Sequence, residues 1–160
     1  MTYNIRRARH SDAEGIINAH IKSIRKICSK DYTSAEIEAW SGRKFRVPHW
    51  QDTIDRDFVW VIECNNAVQG FAHFAVMDSE NGEVMGLYLT PEVCGKGFAR
   101  KLFTKIFQVA SDQKLKKINL HATKTAKSFY EHLGFLQTSS DTTIEMQGVP
   151  IPCFPMEFDI

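Results

Sequence analysis

The sequence predicts a single α/β domain built on a mixed, mostly antiparallel, twisted sheet with helices on both faces. Three observations lead there. Segments of strand and helix period alternate in the order β-αα-βββ-α-β-α-ββ. One strand, ending at Leu89, passes through the Thr90-Pro91 turn and a glycine-rich loop into a long amphipathic helix. No internal repeat, low-complexity tract or linker divides the 160 residues, so residues 1–160 read as one domain of ordinary size.

Tyr3 to Arg7 reads as the first strand. Ser11 and Asp12 offer N-caps to a helix with apolar positions at Ile16, Ile17, Ala19, Ile24 and Ile27, and with His20 on the same stripe. A second helix starts at Thr33 or Ser34, with Glu36 in capping-box register to Thr33, and runs through Ile37 and Trp40 to Gly42. Pro48 and Trp50 open a short third turn. Phe58 to Cys64 and Val68 to Val76 form an antiparallel pair around Asn65-Asn66. Asp78 to Gly82 is turn-like, and the next strand spans Glu83 to Leu89. The helix after the glycine loop carries Phe98, Leu102, Phe103, Ile106, Val109 and Ala110 at helical period. Lys117 to Ala122 is a buried strand, and a last helix around Tyr130 ends at Gly134. Phe135–Thr138, Thr143–Gln147 and Cys153–Phe158 complete the sheet, with Gly148-Val149-Pro150 as the turn between the last two.

A chain with 43% hydrophobic and 24% charged residues folds rather than staying disordered. A net charge of +1 gives no basic field for nucleic acid. The Lys114-Leu115-Lys116-Lys117 cluster suits a solvated helix end. The four cysteines, Cys28, Cys64, Cys94 and Cys153, form no Cys-x-x-Cys pair and have no histidines at metal spacing, so no metal site is expected. Reduced thiols fit a cytoplasmic location. There is no signal-like stretch at the N-terminus and no run near the roughly 18 apolar residues of a membrane span.

The glycine loop is the strongest functional signal. Glycine residues before a helix N-terminus create a nest of free backbone N–H groups, reinforced by the helix dipole, that suits a pyrophosphate. Gly95 and Gly97 let the backbone approach the anion, and Lys96 adds charge. The loop is not a Walker motif, because Gly95-Lys96 is followed by Gly97 rather than Ser or Thr. It also lacks the third glycine of a dinucleotide fingerprint, where Arg100 stands.

A second segment lies downstream, Ala126-Lys127-Ser128-Phe129-Tyr130-Glu131-His132-Leu133-Gly134-Phe135. It resembles the Ala-x-x-Phe-Tyr-x-x-x-Gly-Phe helix of the GNAT superfamily of N-acetyltransferases. Cys94 to Ala99 resembles that family's Gln/Arg-x-x-Gly-x-Gly/Ala loop, with Cys94 where Gln or Arg is usual. Two matched segments in the right order are far more specific than either alone. The resemblance covers Val84 to Phe135 most closely. It implies a GNAT-like sheet in which the strand bearing Leu87 to Leu89 splays from the one ending at His121 to Thr123.

The resemblance further implies that acetyl-CoA is the acetyl donor. It would be held by Leu87, Tyr88 and Leu89 on the strand, by Gly95, Lys96, Gly97, Phe98, Ala99 and Arg100 in the loop and first helical turn, and by Thr123, where many relatives carry asparagine. Main-chain N–H groups near Leu87 and Leu89 would bind the pantetheine arm and the acetyl carbonyl. Tyr130 falls on the general-acid position, since a phenol with a pKa near ~10 stays protonated at neutral pH. A core aromatic is the alternative for that residue. Glu83 matches the position of a base glutamate in some relatives, and His73 and His121 are alternatives. Direct attack of an amine on a thioester needs no protein nucleophile, so Cys94 is read as a loop residue.

The acceptor wall is expected from Ile24, Cys28, Tyr32, Trp40, Phe45, Trp50 and Trp60, with His20 and Lys22 nearby. This aromatic set suggests a small primary amine with a flat or apolar body. Acetylation of a protein N-terminus or lysine, and a non-catalytic acyl-CoA-binding module, are the other readings. A homodimer is left open as a partner arrangement, and no membrane partner is expected.

Overall fold

Along Phe58–Cys64, alternate side chains pass to opposite faces of the sheet, and both faces are apolar. The computed structural model, which describes residues 2–160, shows what covers each. Trp60 and Ile62 join a core with Leu102, Phe103 and Ile106 of one helix and Tyr130 of another. Val59 and Val61 join a second core with Ile16, Trp50 and Ile54, which come from helices on the other face.

The elements are β1 (Tyr3–Arg7), α1 (Ala13–Lys26), α2 (Ser34–Ser41), α3 (Val47–Arg56), β2 (Phe58–Cys64), β3 (Ala67–Val76) and β4 (Asn81–Leu89). They continue with α4 (Phe98–Asp112), β5 (Lys117–Ala122), α5 (Lys127–Leu133), β6 (Leu136–Gln137), β7 (Thr142–Met146) and β8 (Val149–Asp159). The sheet order is β1-β2-β3-β4-β5-β8-β6, with β7 paired to β8. Among the described residues only β4 and β5 pair in parallel, so the sheet is mixed and mostly antiparallel. Helices α1 and α3 cover one face, and α4 and α5 the other.

Local chemistry explains most boundaries. Thr33 caps α2 by accepting from the Glu36 N–H at 3.2 Å, while Glu36 accepts from the Thr33 N–H at 2.9 Å. Asn65 and Asn66 both take positive φ, 51° and 61°, which matches a two-residue hairpin turn to the twist of β2 and β3.

Three boundaries differ from the sequence reading. The turn at Pro48 is the start of a full helix, α3, because proline is pre-organised for a first helical turn and Trp50, Thr53 and Ile54 bury one face. β4 starts at Asn81, before Glu83, because the Asp78 carboxylate accepts from the Glu80 and Asn81 N–H groups and completes the turn earlier. The late hairpin turns at Gln147-Gly148, whose φ angles are 50° and 80°, so Val149 and Pro150 belong to β8.

Candidate active site

The site is made by the departure of β4 from β5. Their pairing runs from Asn81↔Lys117 to Val84↔Leu120 and stops, although β4 continues to Leu89 and β5 to Ala122. A bulge sits at that point: on β3, His73 pairs Gly86 and Phe74 pairs Val84, which leaves Met85 as the extra residue. A bulge bends its strand and increases its twist, so β4 leans away and a gap opens. Gly86 then gives room to the ring of Tyr88, since a Cβ there would lie 3.1 Å from Tyr88 Cε2.

On one side of the gap lies a cleft of about 410 Å³. Leu87, Tyr88, Leu89 and Thr123 line it from the two strand ends. Gly95, Gly97, Phe98, Ala99 and Arg100 line it from the loop and α4, with Phe129 and Ala126 opposite. Lys96 is not among the lining residues, and its Nζ lies 5.9 Å from the Tyr3 ring centroid. Gly95 and Gly97 have φ of 74° and 83°, and a Cβ on either would meet no protein atom within 4 Å. Left-handed backbone therefore favours glycine here, and the open space above it fits an anion on the N–H nest. Gly97 is the N-cap of α4 and provides no side-chain cap, so first-turn N–H groups are left for a ligand.

The loop is tied to its surroundings by several contacts. The Thr90 carbonyl accepts from the Val93 and Cys94 N–H groups, and its hydroxyl donates to Gln69. Val93 is fully buried, and Glu92 forms an ion pair with Lys22 that ties the loop to α1.

On the other side lies a cavity of about 340 Å³. Tyr32, Trp40 and Trp50 form aromatic walls, and Ile144, Met146 and Ile151 of the β7–β8 hairpin close one flank. Tyr88 and Thr123 line both this cavity and the cleft. Of the residues read as acceptor wall, Tyr32, Trp40 and Trp50 line this cavity with His20. Trp60 instead enters the core beneath α4, Ile24 is fully buried in a separate core, and Cys28 lines the cleft. Phe45 lines an adjoining pocket beside Arg43, and Lys22 pairs with Glu92. Burial pushes the Cys28 thiol up to about 11.

The polar groups of the cavity are distinctive. Glu83 lines it, with a side chain 22% exposed and its Oε1 3.7 Å from His121 Nδ1. His73 also lines it, with Nε2 2.7 Å from Asp57 Oδ2. Burial lowers the His73 pKa despite that partner. Asp57 ionises more readily than usual: burial opposes this, but hydrogen bonds from His73 and Arg56 outweigh it. His20 is 4% exposed, and neither ring nitrogen has a hydrogen-bond partner among the described residues. Burial, helped by the charge of Arg43, pushes it down to about 3. Arg43 is a wall residue the sequence reading missed. It lies in the polar Gly42–Arg46 stretch between helices, where no periodicity singles it out.

Tyr130 on α5 is 5% exposed and packs edge-on against Phe103, Phe129 and Phe135. It is not among the residues lining either cavity. Burial holds its phenol well above the usual tyrosine range. Burial also raises Tyr88, and Cys28 and Tyr130 push it further in the same direction. The Thr123 hydroxyl accepts from the Ala126 N–H at 3.1 Å, which engages it at the start of α5. Beside it, the Tyr32 hydroxyl donates to the Pro152 carbonyl at 2.7 Å and accepts from the Lys124 N–H at 2.9 Å. No helix among the described residues is long and apolar enough to cross a membrane.

The parallel pair that parts beside a glycine nest at a helix N-terminus makes this an α/β protein with an anion-binding cleft at a strand gap. The chain belongs to the acetyltransferase (GNAT) domain family, whose model matches residues 28–160. It is 34% identical over 82 residues to the uncharacterized N-acetyltransferase YjgM of Escherichia coli K12, covering 48% of this chain and 49% of that protein. The match therefore spans about half the length of that relative. It is 28% identical over 138 residues to an uncharacterized N-acetyltransferase of Archaeoglobus fulgidus, covering 79% of this chain and 88% of the relative. The fold matches that of the PaiA N-acetyltransferase of Thermoplasma acidophilum, solved in complex with coenzyme A, with a TM-score of 0.82 at 20% identity over the whole of both chains. GNAT acetyltransferases use acetyl-CoA as donor, and the open nest above Gly95 and Gly97 fits its pyrophosphate.

Proposed function

We propose that this chain transfers an acetyl group from acetyl-CoA to a primary amine of a small molecule by direct attack on the thioester. The observation that carries this reading is the shared wall: Tyr88 and Thr123 face both the cofactor-side cleft and the aromatic cavity. A donor in one and an amine in the other would meet at the β4–β5 gap, and such placement removes much of the entropic barrier of a two-substrate reaction.

Acetyl-CoA supplies an activated acyl group. The free N–H groups of the loop and first turn of α4 hold its pyrophosphate, with Gly95 and Gly97 keeping the approach open. Strand β4 beyond the bulge presents N–H groups no longer used by β5, which suit the pantetheine arm and the acetyl oxygen. Glu83 accepts the proton of the incoming ammonium, directly or through water, with His121 beside it as the alternative carrier. Tyr130 returns a proton to the departing thiolate. Its phenol stays protonated because it is buried, and it stands behind Phe129 and Ala126, which line the cofactor-side cleft. Cys94 is exposed on the loop and has no role in this scheme.

A small acceptor is favoured over a protein one because the β7–β8 hairpin walls the cavity with Ile144, Met146 and Ile151. The test is free-thiol release from acetyl-CoA with small primary amines, lysine peptides and free peptide N-termini in parallel. Release with small amines supports the reading, and release with peptides alone contradicts it.

A further inference from the structure

Resting on that reading, we infer that the acceptor is an amine bearing one carboxylate, with Arg43 as the group that reads the carboxylate. Arg43 is half-buried in the cavity wall and forms no ion pair among the described residues. Its guanidinium lies 4.7 Å over the Phe45 ring, and one Nη donates to the Met146 sulfur at 3.3 Å, a weak acceptor. Its Nε is buried without a hydrogen-bond partner. A guanidinium loses solvation on burial and normally recovers it from a carboxylate or phosphate.

A second observation points to the same end of the cavity. His20 is buried, has both ring nitrogens unpartnered among the described residues, and packs 5.3 Å from Phe45 and 4.1 Å from Tyr88 between ring centroids. Phe45 thus links the two residues, and the charge of Arg43 is felt at both His20 and Tyr88. A neutral imidazole that shares Phe45 with the guanidinium offers an N–H to an anion without a second full charge.

Charge balance sets the ligand class. The cavity wall carries one guanidinium, Arg43, and one carboxylate, Glu83, alongside histidines. A zwitterion matches this arrangement, with its ammonium at Glu83 beside the gap and its carboxylate at Arg43. A polyamine would place surplus positive charge against Arg43. A phosphate dianion would carry a charge that one guanidinium leaves unmatched. The aromatic walls then accommodate an apolar side chain.

The experiment compares amino acids from glycine to phenylalanine with their carboxamides, their decarboxylated amines and their aminophosphonate counterparts, using acetyl-CoA and thiol release. The carboxylates should turn over, and the other members should be weaker by about 30-fold or more in kcat/KM. Arg43→Gln should raise KM for the carboxylates on that scale with kcat, acetyl-CoA KM and melting temperature nearly unchanged, and Arg43→Lys should restore part of it. Equal use of the carboxamides, preference for the phosphonates, or an unchanged KM in Arg43→Gln would overturn the inference. A binding arm needs no turnover. Butyrate and 3-phenylpropionate should raise the melting temperature of the CoA-loaded wild type but not of CoA-loaded Arg43→Gln. If only peptides release thiol, the small-acceptor reading fails by itself. An absent carboxylate shift in the wild type overturns the role of Arg43.

Discussion

Glu83 and His121 face one another where the β4–β5 ladder ends, with the Glu83 carboxylate 3.7 Å from His121 Nδ1. In register, Glu83 sits opposite Asn119, so His121 is its diagonal neighbour on the same face. That geometry places a carboxylate and an imidazole at the mouth through which an amine would reach the gap.

Glu83→Gln should lower kcat/KM by about 10²-fold or more near neutral pH, the usual scale for general acid–base catalysis. The deficit should shrink as pH rises and the amine loses its proton unaided. A pH-independent loss, or none, moves the role to His121 or to water, and His121→Gln in the same assay separates those two.

Tyr130→Phe should keep the ring contacts with Phe103, Phe129 and Phe135 while removing the proton donor. Turnover should fall about 10²-fold, the lower end of the general-acid range, because a thiolate of pKa near ~8.5 leaves tolerably well unaided. Burial keeps the phenol protonated beyond the usual tyrosine range, so Tyr130 itself should add no alkaline limb to the rate profile. Normal turnover in a well-folded Phe variant would remove the assignment.

Gly97→Val tests the phosphate nest. With φ at 83° and no protein atom within 4 Å of the added Cβ, the folding cost comes from the left-handed backbone, about 1–2 kcal/mol. A melting temperature lower by several degrees is expected. The rise in melting temperature on adding acetyl-CoA should be largely abolished, because the side chain fills the space above the nest. A variant that is still fully stabilised by acetyl-CoA would place the pyrophosphate elsewhere.

His20 gives a stability prediction with a defined sign. Its pKa in the folded protein is pushed down to about 3, below the ordinary value of 6.5, so the unfolded chain binds a proton first as pH falls. Its contribution is therefore complete above about pH 6.5 and is lost progressively toward the folded value. Between pH 6 and 4, unfolding free energy should fall about 1.4 kcal/mol per pH unit more steeply in the wild type than in His20→Phe. Parallel curves in urea titrations would show that His20 is protonated normally in the fold.

The parts legible in the sequence are those fixed by local chemistry. The Thr33–Glu36 capping box, the Asn65-Asn66 turn, and the stripe from Phe98 to Ala110 each carry their structure in a few adjacent residues. Which face a buried strand side chain takes is another matter. Both alternations of Phe58–Cys64 are apolar, so Trp60 could be assigned to the acceptor wall although it packs under α4. The hairpin register failed for a similar reason: Gly148-Val149-Pro150 has turn composition, but the paired positive φ angles fall at Gln147 and Gly148. Helix α3 had its signal in the spacing of Trp50, Thr53 and Ile54, which the breaker at Pro48 obscured. Arg43 had none, because its meaning depends on being buried without a counter-charge.

In the proposed reading, donor and amine occupy the two sides of the wall at Tyr88 and Thr123 and are bound together. The most direct measurement is the initial-velocity pattern with acetyl-CoA and a productive small amine varied against each other. Intersecting double-reciprocal lines are predicted, since the amine attacks the thioester within a ternary complex. Parallel lines, the signature of an acetylated protein intermediate, would contradict direct transfer and bring Cys94 into the chemistry.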